Sequence, residues 1–268
     1  MKKFTRVILI ITLILVALGN LMYWGTKIYR HIRSGEIYKS IGSRAYEVTG
    51  EVNRIKVSAQ YAVVKIYSPG EYDRKADDDV HRCYLENVDI SRSEVYIENG
   101  VLLINAFNAE NMEVLGWNAG DVADTDKDAR VTLWLSKEEY DSIIIDTGTG
   151  SIDTGRIDCR DLIIQLGAGN VTSKALKTEN GAIQTGVGSV DIKKLESSPN
   201  LSVKTGAGNI DIIMAAASSE YDVSVKTGAG NISVFGDSYF GIDNKIIKRG
   251  TGEKKLDLET GTGWVTVR

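Results

Sequence analysis

The chain has 268 residues, 43% hydrophobic and 25% charged, the balance of a globular protein rather than a disordered one. Glycine is plentiful at 27 and proline scarce at 2; with no G-X-Y period, collagen is excluded. A net charge of −4, with no basic block beyond the first residues, argues against nucleic acid as a partner, because phosphate binding needs clustered Lys and Arg.

The first element is apolar. MKKFTR is basic, and Val7 to Trp24 then carries no charge. At about 1.5 Å per residue such a run sits at the short end of transmembrane helices. Tyr23 and Trp24 stand where interfacial aromatics belong. A cleavable signal peptide is the alternative, with Ala17 and Gly19 as the small residues before a cut, but the run continues through Leu21 and Met22, so an uncleaved anchor is expected over 1–24, with its helix at 7–24. Lys2, Lys3 and Arg6 before it balance Lys27, Arg30 and Arg33 after it. A short basic leader ahead of a long folded part points to a single-pass cell-membrane protein with an extracytoplasmic C-terminal domain. Residues 25–51 read as a juxtamembrane linker.

Strand patterns follow. Ile55 to Ala59 and Ala62 to Ile66 alternate, as does RVTLWL from Arg130 to Leu135. VYIENGVLLINAF, from Val95 to Phe107, holds Asn99-Gly100 between two alternating runs, a hairpin signal. These make residues 52–140 the irregular first coils of one domain spanning 52–268.

From residue 141 the sequence repeats. DTGTGSIDTG at Asp146 returns as QLGAGNVTSK, QTGVGSVDIK, KTGAGNIDII, KTGAGNISVF and ETGTGWVTVR. The first glycines, Gly148, Gly167, Gly186, Gly206, Gly228 and Gly261, are spaced by 19, 19, 20, 22 and 33 residues. Three residues before each stands Ile, Val or Leu, and one before stands Thr in all but Leu166. Four after stands Ile or Val. Apolar and polar residues alternate with period two on both sides of the bend, so each unit is a strand, a turn and a second strand. One unit cannot bury its apolar face, but a stack can. The expected fold is all-β: a single β-solenoid of stacked two-strand coils of about 20 residues, behind the N-terminal helix.

The turn glycines are Gly148 and Gly150, Gly167 and Gly169, Gly186 and Gly188, Gly206 and Gly208, Gly228 and Gly230, and Gly261 and Gly263. They are expected where a repeated corner demands unusual backbone angles or close approach of the next coil. Three after each first glycine stands Ser151, Asn170, Ser189, Asn209, Asn231 and then Trp264. The Asn and Ser side chains are expected to bond backbone at the bend and one another. Trp264 breaks the column and reads as a lid on the open end of the solenoid.

Chemistry is sparse. His31 and His81 are the only histidines, neither with a motif partner, so nucleophilic catalysis is not expected and His81 reads as a surface residue. Each G-x-G opens a strand rather than a helix, unlike a nucleotide loop. Cys83 and Cys159 lie outside any CxxC spacing, which disfavours zinc; they are buried free thiols or, in an oxidising compartment, a disulfide. Repeat-bound calcium needs carboxylates where the copies carry Asn or Ser. Asp124, Asp126 and Asp128 start like an EF-hand loop, but Ala129 and Leu135 occupy the glycine and glutamate positions. No catalytic, cofactor or metal residue is therefore predicted. Two loops offer partner contacts. One runs from Asn108 to Arg130 and carries Trp117; its alternative is to fold back over the solenoid's first end. The other, the insertion Gly236 to Lys255, carries Tyr239 and Phe240; its alternative is to cover an open flank.

The T-G-x-G-[NS]-[IV] repeats, the strand-rich lead-in and the N-terminal apolar segment together resemble the bacterial putative-adhesin family of β-strand repeat proteins, a domain of unknown function, over roughly Val52 to Arg268. The resemblance implies a surface location and adhesion. The expected function is thus a non-enzymatic, membrane-anchored binding or scaffold module at the cell envelope. Its partners would be an envelope protein, a cell-wall glycan or another copy of the chain. Relatives with similar repeats take part in envelope stress signalling, which makes a regulatory protein the alternative.

Overall fold

The structure is a computed structural model and describes residues 41–71, 80–108, 113–114, 117–118, 128–215, 217–248, 250 and 252–268. The strands are β1 (Ile41–Thr49), β2 (Arg54–Tyr67), β3 (Val80–Asp89), β4 (Glu94–Glu98), β5 (Val101–Ala106), β6 (Glu113–Val114), β7 (Trp117–Asn118), β8 (Arg130–Trp134) and β9 (Tyr140–Val187). There follow β10 (Val190–Ser197), β11 (Asn200–Ala207), β12 (Ile210–Met214), a 3-10 turn at Ser218–Glu220, β13 (Tyr221–Val234), β14 (Asp237–Lys248), β15 (Lys254–Thr262) and β16 (Val265–Val267). Residues 42–108 and 126–268 form one compact unit; the small ribbon β6–β7, pairing Val114 with Trp117, belongs to another. β1 falls inside the stretch expected to be linker.

Parallel pairing in register builds the large unit. On the side before the bend, Val203 of β11 lies between Ile183 of β9 and Leu258 of β15, and Leu258 beside Val225 of β13. On the side after it, Val190 lies beside Val171 and Ile210, Ile210 beside Val265, and Val265 beside Ile232. The apolar columns expected from the period-two pattern thus line one continuous core, nearly all of it fully buried.

A third side completes each coil. Leu195 pairs with Leu176 on one side and Met214 on the other, and Ile157, Leu176 and Leu195 are buried with the other columns. Alternation in the sequence shows only two strands per unit, because one or two inward residues on this third side are too few to show a period.

The expected fold class needs correction on two further points. Coil order is not chain order. The glycine corners stack as Gly148, Gly167, Gly186, Gly206, Gly261, Gly228, each with its missing Cβ position against the carbonyl oxygen of the one before. β15 and β16 are therefore inserted between the coils of β11–β12 and β13. β9 and β13 run through their bends and serve both sides, so the parallel pairs β9–β10–β12–β16–β13–β15–β11 return to β9 as a closed seven-strand circuit. This solenoid-like body replaces the sequentially stacked rod of two-strand coils. Second, no α-helix occurs among the described residues, and none of their helices is long and apolar enough to cross a membrane. The expected helix at 7–24 lies outside the described residues. The single-pass, membrane-anchored localisation is withdrawn on this finding.

Both ends of the stack are closed by antiparallel strands. At one, β4 pairs with β5 and β3 with β8, with β1 on β3. At the other, β14 follows the whole contour of β13, from Val223↔Lys248 to Val234↔Asp237.

The corner chemistry explains the T-G-x-G motif. The second glycine of each pair has φ between 132° and 151°. A Cβ there would overlap the carbonyl oxygen of the coil beneath, such as Gly150 O beneath Gly169. The buried threonine before the first glycine answers that inward carbonyl: Thr205 Oγ1 donates to Gly188 O and Thr260 Oγ1 to Gly208 O, both at 2.9 Å. Up the outside, Asn170 Oδ1 accepts from Ser189 N at 2.9 Å, Ser189 Oγ from Asn209 N at 3.2 Å, and Asn209 Oδ1 from Trp264 N at 2.9 Å. Gly169→Ala is expected to destabilise by about 3 kcal/mol or more, from overlap and strained φ together. Gly100→Ala, with open space around its Cβ position, should cost only about 1 kcal/mol. Urea midpoints of the two variants test this; equal costs would mean that the stack can open at its corners.

Candidate binding surface

Trp264 does not lie on an end of the stack. Its coil is flanked by β12 and β13, and its side chain is 64% exposed on the corner. This corrects the end-cap reading: the atypical copy was taken as terminal because it comes last in the chain, and the chain does not stack in order. Phe240 does lie on the end strand. It pairs with Asn231, the residue beside Trp264 in the outer corner column, and is 86% exposed; Tyr239, opposite the buried Ile232, is 42% exposed. Trp117 is in β7, in the separate unit.

The histidine expected at the surface is buried. His81 alternates with Cys83 and Leu85 on the inward face of β3. Its Nε2 is 3.0 Å from Gly50 O and its Nδ1 3.0 Å from Ser136 Oγ, which in turn lies 3.4 Å from Tyr140 Oη. His-Cys-Leu at every second position was the signal, missed because β3 carries few other apolar residues. A Ser-His pair invites a catalytic reading, but Ser136 and His81 are only 3% and 2% exposed, so no substrate reaches them; they hold β3 to the first coils.

Cys83 and Cys159 are both free and buried. Burial pushes each thiol up to about 12; at Cys159 the Thr178 hydroxyl, which accepts from Sγ at 3.9 Å, acts in the lowering direction. No cluster of metal-ligating side chains occurs among the described residues. Asp124 and Asp126 lie outside them.

A shallow groove of about 630 Å³ lies on the outer face of the sheet before the bend. Beneath it, one inward column of the core is interrupted. Five residues before each first glycine the coils carry Ile143, Leu162, Gly181, Leu201, Val223 and Leu256. Gly181 omits one inward side chain, and Leu201 leans into the space, its Cδ1 2.6 Å from where a Gly181 Cβ would sit. Ala182 follows, small and exposed, where the neighbouring coil has Ile163. The outer face is shallow over Ala182, with Ile163 as its exposed apolar side chain, while Leu201 is buried beneath it.

A polar ladder runs along this trough. Asn180 Nδ2 donates to Asp161 Oδ1 at 2.9 Å, and Asn200 Nδ2 to Asn180 Oδ1 at 3.3 Å. Lys255 continues the column beside Asn200. The Asn180 amide, then Arg160, hold the Asp161 carboxyl below its ordinary range; the Asp161 hydrogen bond, then Asp141, hold Arg160 above its own. The ladder offers amide donors and acceptors at the strand spacing of about 4.8 Å.

The Toastrack DUF4097 family matches residues 98–237, just over half of the chain. No protein of curated function matches. Among solved structures, a putative cell adhesion protein from Clostridium sporogenes is 12% identical, over 84% of this chain and 98% of that one, with a TM-score of 0.45. A putative adhesin from Bacteroides fragilis is 11% identical over 84% and 96%, at 0.37. A putative lipid binding protein from Parabacteroides distasonis is 10% identical over 85% and 97%, at 0.27.

The burial of both cysteines is directly testable. In native buffer at pH 8, a chromogenic disulfide reagent should react with neither thiol within minutes, and with both once the chain is unfolded in urea. Fast stoichiometric reaction of the native chain would contradict the buried environments.

Proposed function

We propose, from the premise that the chain belongs to the Toastrack DUF4097 family, that it is a non-enzymatic binding module, and that the trough over Gly181 and Ala182 is where it holds its ligand. The observation that carries this is the combination found there: a polar ladder beside a shallow depression over Ala182 and Ile163 in a rigid parallel sheet. Asp161, Asn180 and Asn200 present acceptors and amide donors in a line, while Ile163 and Ala182 offer C–H surface beside them. That chemistry suits a polyhydroxylated chain, whose hydroxyls both donate and accept and whose ring faces are apolar. A cell-wall glycan is the ligand class we assign. The sheet is held by registered backbone pairing on both edges of each strand, so the trough is preorganised and little ordering entropy is lost on binding.

A hydrolytic reading has less support. The groove carboxylates Asp161 and Asp257 sit on different coils with Asn and Ser columns between them, and Asp161 is held ionised rather than raised toward a proton donor.

The test is retention of the full chain on purified wall sacculi and on soluble glycan fragments. The unaltered chain should bind, Ala182→Trp should fill the trough, and Asn180→Ala should break the ladder; each is expected to weaken binding by about tenfold or more. A chain that binds neither probe, or an Ala182→Trp variant that binds as well as the parent, would rule the assignment out. The pH dependence has a fixed sign. The depressed Asp161 value keeps its acceptors ionised above the ordinary carboxylate range, so binding should hold from pH 7 to pH 5. It should fall only below about pH 4, as Asp161 takes up a proton.

A further inference from the structure

The amide ladder beside Ala182 has a direction and an end. Its hydrogen bonds all run one way: Asn200 Nδ2 donates to Asn180 Oδ1, and Asn180 Nδ2 to Asp161 Oδ1. Lys255 stands next in the column, yet Asn200 Oδ1 accepts from no described residue. Each Asn side chain has two N–H donors, and the ladder uses one of each. Asn180 and Asn200 are both exposed. The ladder therefore offers an open acceptor and two open donors to a ligand, on rungs about 4.8 Å apart.

An apolar step lies two residues along the same strands. Alternation puts Ala182 on the face of Asn180 and Ser202 on the face of Asn200, and Ala182 and Ser202 are registered partners. Ala182 is exposed and ends at its Cβ, whereas Ile163 in the neighbouring coil is longer and 38% exposed. The surface thus drops over Ala182, with Ile163 as an apolar wall on one side and the Ser202 strand on the other.

These three features complement one chemical group, a secondary acetamide. Its N–H can donate to Asn200 Oδ1, its carbonyl can accept from an Asn Nδ2, and its methyl can rest on Ala182 against Ile163. A hydroxyl can join the same ladder but has nothing to place on Ala182. A carboxylate would meet Asp161 and Asp257, which outnumber Lys255 along the groove, and like charges repel. We propose, resting on the glycan reading above, that the trough selects glycans whose sugars carry acetamido groups. Asn180 and Asn200 hold the amide of that group, and Ala182 sets the preference by leaving room for its methyl.

The test is isothermal titration of the full chain, kept in mild detergent, with a pair of tetrasaccharides of the same β-1,4 linkage. One is built from N-acetylglucosamine. The other is built from glucose and has a hydroxyl in place of each acetamido group. The acetylated probe is expected to bind about tenfold more tightly or better. Ala182→Val should abolish that preference while the glucose probe binds as before, and Asn200→Ala should also abolish it. Both positions are exposed, so urea midpoints should match the parent. Equal affinity of the unaltered chain for the two probes overturns the selectivity and leaves the glycan reading standing. A preference that survives both substitutions overturns it too, since the acetamido contact would then lie outside the trough. Binding of neither probe by a chain that wall sacculi still retain overturns the selectivity alone; if sacculi do not retain the chain either, the glycan reading falls with it.

Discussion

The body of this protein rests on the absence of a Cβ at one corner. Parallel strands can be set side by side by many sequences, but here each coil must also turn sharply and lie directly on the turn of its neighbour. At the second glycine of every bend, the space a side chain would take is filled by the carbonyl oxygen of the coil beneath. The same residue needs φ near 140°, where residues with a side chain are strained. Once the corner is satisfied, the rest follows. Registers are fixed on both sides of the bend, the inward Ile, Val and Leu columns coincide, and the buried threonine answers the inward carbonyl. Polar side chains can then be arranged on the outside without a role in holding the core.

That division explains why a binding surface sits where it does. The trough lies over the small Ala182, and beneath it the core carries one glycine where the other coils carry a branched aliphatic residue, tolerated because neighbouring coils supply the burial. Leu201 takes up part of the missing volume. Solenoid-like stacks tolerate such defects because each coil contacts chiefly its neighbours. The antiparallel strands at the two ends serve a different purpose. They cover strands β5, β8 and β13, each of which pairs parallel on its other edge.

Much of the fold was legible in the residues. The six glycine pairs, the inward columns and the Asn99-Gly100 hairpin appear in the structure at the expected positions, with β4 and β5 flanking that turn. The insertion of β15–β16 between earlier coils was not legible. Its columns carry Leu258, Thr260 and Val265, interchangeable with those of any other coil, so alternation says that coils stack but not in which order. Trp264 was misplaced for the same reason. The third side was invisible because Ile157, Leu176 and Leu195 stand almost alone between polar neighbours. The trough was legible in principle: Gly181 in the column of Leu162 and Leu201 is conspicuous once that column is written out. His81 shows the opposite limit, since a single polar residue reveals its side only when its strand is recognised.

The inserted coil has a consequence in time. A repeat protein whose coils stack in chain order can grow from one end as it is synthesised, each new turn condensing on the last. Here that progress halts after β12. The coil of β13 has no floor until residues 255–267 emerge and slide beneath it. For that interval Val223, Val225, Ile232 and Val234 present an open apolar layer, with β14 folded against one edge alone. The nascent chain therefore passes through a stage in which its stickiest surface is complete but unmated, and the final step of assembly is an intercalation rather than an addition.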